Sequence, residues 1–198
     1  MIEPRSNPDW RPLALGLVLL TAVYAIFYRL VPFELRGYLL FPFGGWALYS
    51  GARLTTRIAL PITFGVFALT DVLLYLTKGG VPPNYIFYVC LAVSVLIGRA
   101  WLAHSQSPWR VGVGAIAAYA FFFLVSNFVA WLEPARPYYE PHTFATLMLA
   151  YKEALEFVRM QPGHLVGDLA FSFGLFGAHA VLAPAYFPAE KVAMEGAR

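Results

Sequence analysis

Residues 111–132 run for 22 positions without one charged side chain. As a helix this stretch is about 33 Å long at about 1.5 Å per residue, enough to cross the roughly 30 Å hydrocarbon core of a bilayer. A water-facing helix keeps a polar side, and this one has none of the charge that would supply it. The rest of the 198-residue chain agrees, with 60% hydrophobic residues, 13% charged residues and a mean hydropathy of +0.63. A soluble domain carries about a quarter charged residues. The composition therefore speaks against a cytosolic enzyme, a disordered tail and a nucleic-acid binder. The formal net charge of +3, from 14 basic and 11 acidic residues, is too small for a phosphate-binding patch but suits short loops facing an anionic membrane. Cys90 is the single cysteine, so no intrachain disulfide forms.

Six apolar runs predict an all-α, polytopic transmembrane helical bundle, with spans near residues 12–30, 39–52, 58–76, 85–103, 111–132 and 165–187. The second is the weakest, because it is short and has Pro42 and Gly44-Gly45 near its start. The third contains only Asp71 as a charge, the fourth only Arg99, and the sixth carries Asp168 and His179. Connectors follow from breakers: Lys78-Gly79-Gly80-Val81-Pro82-Pro83 cannot continue a helix, and Ser105-Gln106-Ser107-Pro108 is polar and ends in proline. The long connector, 133–164, opens with Pro134 and Pro137. Within it, 143–160 mixes Leu147, Met148, Tyr151, Leu155 and Phe157 with Lys152, Glu153, Glu156 and Arg159 at helical spacing. That pattern predicts an amphipathic helix lying in the interface or folding back over the bundle, with a solvated loop helix as the alternative. The first run lacks the basic start and A-x-A pattern of a signal peptide, so it is expected to stay as a span. No internal repeat or boundary divides the chain, and residues 1–198 are expected to form one integral membrane domain.

With the N-terminus inside, the inner segments hold Arg5, Arg11, Arg53, Arg57, Arg99, Arg110, Lys191 and Arg198. The outer ones hold Arg29, Arg36, Lys78, Arg136, Lys152 and Arg159. The positive-inside rule then favours cytoplasmic termini in a cell (inner) membrane. Parity alone gives a second result. Asp71 and Asn127 lie near the ends of odd spans, while Asp168 and Tyr88 lie near the starts of even ones, so all four share one leaflet with Trp131. Ionisable groups inside spans are costly, on the order of 2.5–3.5 kcal/mol at mid-bilayer, and usually face a bundle interior or cavity. The expectation is a polar-lined pocket open to one side, with 133–164 as its lid. Each residue also has a purely structural alternative: Asp168 follows Pro162-Gly163-His164 and can serve the first turn of its helix, and Asn127 can bond between helices.

His142 and His164 are the histidines nearest this cluster, but no H-x-x-x-H or H-E-x-x-H spacing supports a metal site. His179 is expected as a hydrogen-bonded core residue and His104 as a loop residue. Gly114 with Ala118, and Gly174 with Ala178, are expected at close helix contacts.

These residues resemble those of one family. Pro42-Phe43-Gly44-Gly45-Trp46-Ala47-Leu48-Tyr49-Ser50-Gly51-Ala52 is similar to the P-x-G-A-x-A-L-x-x-G-A stretch of the DUF6580 membrane proteins. Pro61 with Thr70-Asp71, Tyr88 with Gly98-Arg99, and Phe122-Phe123-Leu124-Val125-Ser126-Asn127-Phe128 with Trp131 resemble their third, fourth and fifth spans. Tyr139-Glu140-Pro141-His142-Thr143, Tyr151 and Gly167-Asp168-Leu169 extend the resemblance over about residues 32–178. It implies a transport protein similar in organisation to the S components of energy-coupling factor transporters, with cytoplasmic termini and an outward pocket beneath its loops. Two departures stand out. Ala14 is followed four residues later by Val18, not by the alanine through which S components dock their partner, and Leu40 replaces the usual asparagine before the second span.

The expected function is thus a membrane transport protein or substrate-binding transporter subunit for a small solute. Asp71, Tyr88, Asn127, Trp131, Tyr139, His142 and Asp168 are its expected substrate-binding residues, with no catalytic residues, no metal and no cofactor. The expected partners are the lipid bilayer, a small-molecule solute and separate transmembrane and ATPase subunits, with no nucleic acid. Two alternatives remain open: an intramembrane enzyme using Asp71 and Asp168 as a carboxylate pair, and a non-catalytic structural subunit. No P-loop, G-x-S-x-G or zinc-ligand spacing is present.

Overall fold

Proline marks two of the helix starts. Pro12 opens α1 (Pro12–Leu30) and Pro108 opens α6 (Pro108–Leu132), where the missing proline N–H would have had no partner in any case. The computed structural model describes residues 11–36, 39–78, 85–133, 139–160, 162–188 and 190, and it is all-helical, with no strand among them. A short turn of helix, α2 (Phe33–Arg36), which the apolar runs did not indicate, precedes α3 (Phe43–Arg53). There follow α4 (Thr56–Lys78), α5 (Tyr85–Ile97, continued by a π-helical turn Gly98–Leu102), α6, α7 (Phe144–Met160) and α8 (Gly163–Tyr186). The connector 79–83, Pro134, Pro137, and the cations Arg5, Arg136, Lys191 and Arg198 lie outside the described residues.

Five helices are long and apolar enough to cross a membrane: Pro12–Leu30, Thr56–Thr77, Tyr85–Leu102, Pro108–Leu132 and Gly163–Tyr186. The expected second span is corrected. Its helix has 11 residues, about 16 Å at about 1.5 Å each, and residues 39–42 ahead of it are irregular. Irregular backbone at this depth is stable only where protein supplies its hydrogen bonds. Here the Tyr24 hydroxyl donates to the Leu40 carbonyl at 3.0 Å, and the Phe41 N–H donates to the Gly163 carbonyl at 3.3 Å.

This broken element is the centre of the bundle. Every residue of α3 except Gly44 is buried, and the helix touches α1, α4, α5, α6 and α8. Glycine makes the approach possible. A Cβ on Gly51 would overlap the Val95 carbonyl of α5, one on Gly98 would overlap the Leu48 carbonyl of α3, and one on Gly45 would lie 2.6 Å from the Asp168 carbonyl oxygen of α8. Small residues that let backbones meet are the usual means of helix association where no water drives it. Gly114 and Ala118 are buried, as expected, but Gly174 is exposed and a Cβ there would meet nothing within 4 Å, so the close helix contact expected at Gly174 is absent from this chain's own packing.

At the far end of α3, Arg53 is 1% exposed. Its guanidinium donates to the carbonyls of Leu102, Ala103 and Ser105 at 3.3, 3.2 and 2.9 Å and lies over the Phe176 ring. It thereby bonds carbonyls at and just beyond the end of α5, of which that of Leu102 also accepts the Ser105 N–H at 3.2 Å. Arg11 in turn donates to the Arg53 carbonyl at 3.0 Å, so α3 ends on the same side of the bundle as α5 ends and α1 begins.

Candidate functional site

The polar residues at the opposite end fall into three groups. In the first, the Asp168 carboxylate is 4% exposed and accepts the N–H groups of Gly44 and Gly45 at 2.9 and 3.2 Å. These belong to the first turn of α3, whose N–H groups have no partner within the helix and whose dipole favours a negative charge. Asp168 is therefore a helix cap, but for α3 and not for its own helix.

In the second, Asp71 is shared between three helices. Arg29 of α1 pairs with Oδ1 at 2.6 Å, and the Tyr88 hydroxyl of α5 donates to Oδ2 at 2.8 Å. Arg29 also donates to the Thr70 hydroxyl and the Phe67 carbonyl and covers the Phe67 ring, 4.1 Å from its centroid. A carboxylate that faces bundle interior is thus neutralised by a cation from a neighbouring helix. The parity rule places Arg29, at the end of an odd span, beside Asp71, and this was the available signal for the pair.

The third group fastens the start of α7. Trp131 donates through Nε1 to the Thr146 hydroxyl at 3.2 Å, its ring meets His142 edge-on at 4.9 Å, and it packs with Tyr139 and Ala150. Thr143 and Thr146 exchange bonds, Thr143 N–H to the Thr146 hydroxyl at 3.0 Å and Thr146 N–H to the Thr143 hydroxyl at 3.3 Å, an arrangement like a capping box. Tyr151 then donates to the Leu124 carbonyl at 2.9 Å. Of the two expected placements, α7 takes the second: it folds back along α6.

Between α6, α7 and the start of α8 this arrangement leaves a cavity of about 380 Å³, within the roughly 300–1,000 Å³ range of small-molecule sites. Tyr119, Phe122, Phe123, Ser126 and Asn127 of α6 form one wall, and Ala150, Glu153, Ala154, Phe157 and Val158 of α7 the other, with Tyr139 and His164 at the ends. Tyr139 donates to Glu153 Oε2 at 2.7 Å, and Asn127 donates through Nδ2 to the Phe123 carbonyl of its own helix at 2.8 Å. His164 stacks on Phe41, ring centroids 4.3 Å apart. Phe41 in turn meets Phe43, which contacts Phe67 of the Arg29 group, so an aromatic layer joins the cavity to the ion pair.

Of the seven expected binding residues, Asn127 and Tyr139 line this cavity. Asp71, Tyr88 and Asp168 belong to the two helix-joining groups and are not among its lining residues, and Trp131 and His142 pack at the start of α7. The lining that sequence reasoning missed is mostly aromatic: Tyr119, Phe122, Phe123 and Phe157, with Glu153 and His164. Their only local signal was position, since Phe122 and Phe123 precede Asn127 by one helical turn and Glu153 lies on the amphipathic stretch.

His179 takes its expected place in the core, with its Nδ1 2.7 Å from the Tyr49 hydroxyl and its Nε2 facing Glu190 at 3.7 Å. His104 is exposed outside the helices. Among the described residues no group of three His, Cys, Asp or Glu side chains could hold a metal ion.

Five helices of membrane-crossing length packed round a broken central helix, with a cavity to one side, define a polytopic membrane protein of the helical-bundle class. The chain belongs to the DUF6580 family, described as a family of unknown function, whose profile matches residues 10–191. No curated protein and no solved structure matches it.

Proposed function

We propose that the protein binds a small solute in the cavity between α6 and α7 and takes part in its transport across a cell membrane. The observation that carries this reading is the cavity: about 380 Å³, walled by aromatic rings with a few polar groups, and covered by a helix tied down at one end. Apolar walls that supply contact area, with sparse polar groups that fix orientation, are what a solute site needs. With both termini cytoplasmic, the arrangement favoured by the lysine and arginine count, the cavity lies toward the outer face and α7 is its lid. The chain has no nucleotide-binding motif, so uphill transport would draw on separate transmembrane and ATPase subunits or on an ion gradient.

Hydrolysis by an Asp71/Asp168 pair draws no support from the geometry. Such chemistry needs two carboxylates sharing one water, whereas Asp71 is held by Arg29 and Tyr88 and Asp168 by Gly44 and Gly45.

Native mass spectrometry of protein purified in mild detergent tests the proposal, with Ala154→Phe as the comparison because Ala154 lines the cavity without making a polar bond. The expected result is a bound solute on the unaltered protein and its loss from the folded A154F variant. Equal retention by both, or no solute on either, would overturn it.

A further inference from the structure

Resting on that reading of the cavity, we infer that its solute is an organic cation: a protonated amine or quaternary ammonium joined to a flat or aromatic body. Among the described lining residues Glu153 is the one carboxylate, and none is a lysine or arginine. It pairs with no lysine or arginine among the described residues, and its Oε2 accepts the Tyr139 hydroxyl proton. Across from Glu153 are the rings of Tyr119, Phe122 and Phe123, with Phe157 and Tyr139 beside it. Aromatic faces carry partial negative charge and attract cations within about 6 Å, and quaternary ammonium groups are recognised in this manner.

The polar inventory points the same way. The Tyr139 hydroxyl proton goes to Glu153, one Asn127 amide proton goes to the Phe123 carbonyl, and the Ser126 hydroxyl points at that same carbonyl at 3.4 Å. Among the described residues Asn127 Oδ1 and Glu153 Oε1 are left as acceptors. The second Asn127 amide proton, the Tyr119 hydroxyl and the His164 ring can still donate, but the charged group of the described lining is a carboxylate set among rings, and that selects a ligand that brings positive charge. An anionic ligand would meet Glu153 with no lysine or arginine among the described lining residues to offset it.

Three isosteric probes separate charge from shape: 2-phenylethylamine, 2-phenylethanol and phenylacetate, each measured by equilibrium dialysis against the full-length protein in detergent. Phenylethylamine is expected to bind best and phenylacetate worst. Glu153→Gln is expected to cost the amine about tenfold while leaving phenylethanol within about twofold, and A154F is expected to weaken amine and alcohol alike. Equal binding of amine and alcohol, preference for phenylacetate, or an E153Q variant that keeps the original ranking would overturn the cation assignment and leave the solute cavity standing. Failure of all three probes to bind would overturn both.

Discussion

The Asp168 carboxylate of α8 sits directly against the Cα of Gly44 on α3, so close that a methyl group at Gly44 would overlap it, and it accepts that glycine's N–H at 2.9 Å. Two substitutions should therefore converge on one phenotype. Asp168→Ala removes the acceptor for two N–H groups at a buried helix end, at a cost of about 3 kcal/mol, since bonds to charged groups contribute about 1.5–3 kcal/mol each. Gly44→Ala forces the carboxylate away, at about 1–3 kcal/mol. Thermal unfolding in detergent should show both below the unaltered protein, with Asp168→Asn between, because its amide oxygen can still accept.

Asp71 and Arg29 should behave as a unit. Replacing Arg29 by leucine leaves an unpaired carboxylate in a protein interior, a loss of about 3–5 kcal/mol for a fully buried pair and less here, because the two side chains keep 16% and 13% exposure. Replacing both by leucine removes the charge as well as its partner. The double variant is expected to melt above either single one, and a double-mutant cycle on melting temperature measures this. An additive loss would show that the two groups do not depend on each other.

Glycine substitutions should separate contact from exposure. At Gly51 an added Cβ overlaps the Val95 carbonyl, whereas at Gly174 it meets nothing within 4 Å. Gly51→Ala is expected to lower stability by about 1–3 kcal/mol. Gly174→Ala is expected to leave it unchanged or raise it by up to about 1 kcal/mol, through helix propensity alone. Expression and unfolding of the pair in the same detergent give the comparison.

Arg53 holds three carbonyls with one planar group. Lysine has the charge but not the fork, so Arg53→Lys is expected to lose at least one of these bonds and about 1–3 kcal/mol, the range for leaving a buried acceptor unpaired. Melting temperature reads the loss, and recovery to the native value would show that charge alone suffices.

Length and apolarity made the long helices legible: 12–30 was expected and found, and 111–132 differs only by the three residues from Pro108. These properties belong to contiguous residues, so sequence order carries them. The roles of Asp71 and Asp168 do not. Both were expected as pocket-lining acids within spans, and each instead bonds groups on other helices; the partner of Asp168 lies 124 positions away in the chain, and no local pattern distinguishes a carboxylate facing a ligand from one facing a helix end. Pro42 and Gly44-Gly45 did mark where the second run breaks. The cavity was least legible, because Phe122, Phe123 and Phe157 are the same residue type that fills any apolar core. Only the fold of α7 onto α6 turned them into walls.

The cap on α3 also sets an order of events during synthesis. Residues 39–53 leave the ribosome long before Asp168 exists, so the growing chain carries a three-turn helix whose first N–H groups have nothing to bond. It is too short to cross the bilayer alone, and its irregular lead-in depends on Gly163 for one of its bonds. A chain halted before residue 163 is therefore expected to leave the start of α3 open to water, which labelling of a Gly44→Cys substitution with a membrane-impermeant thiol reagent would detect. The central helix of the bundle comes early in the chain, yet its first turn is completed only when α8 is made.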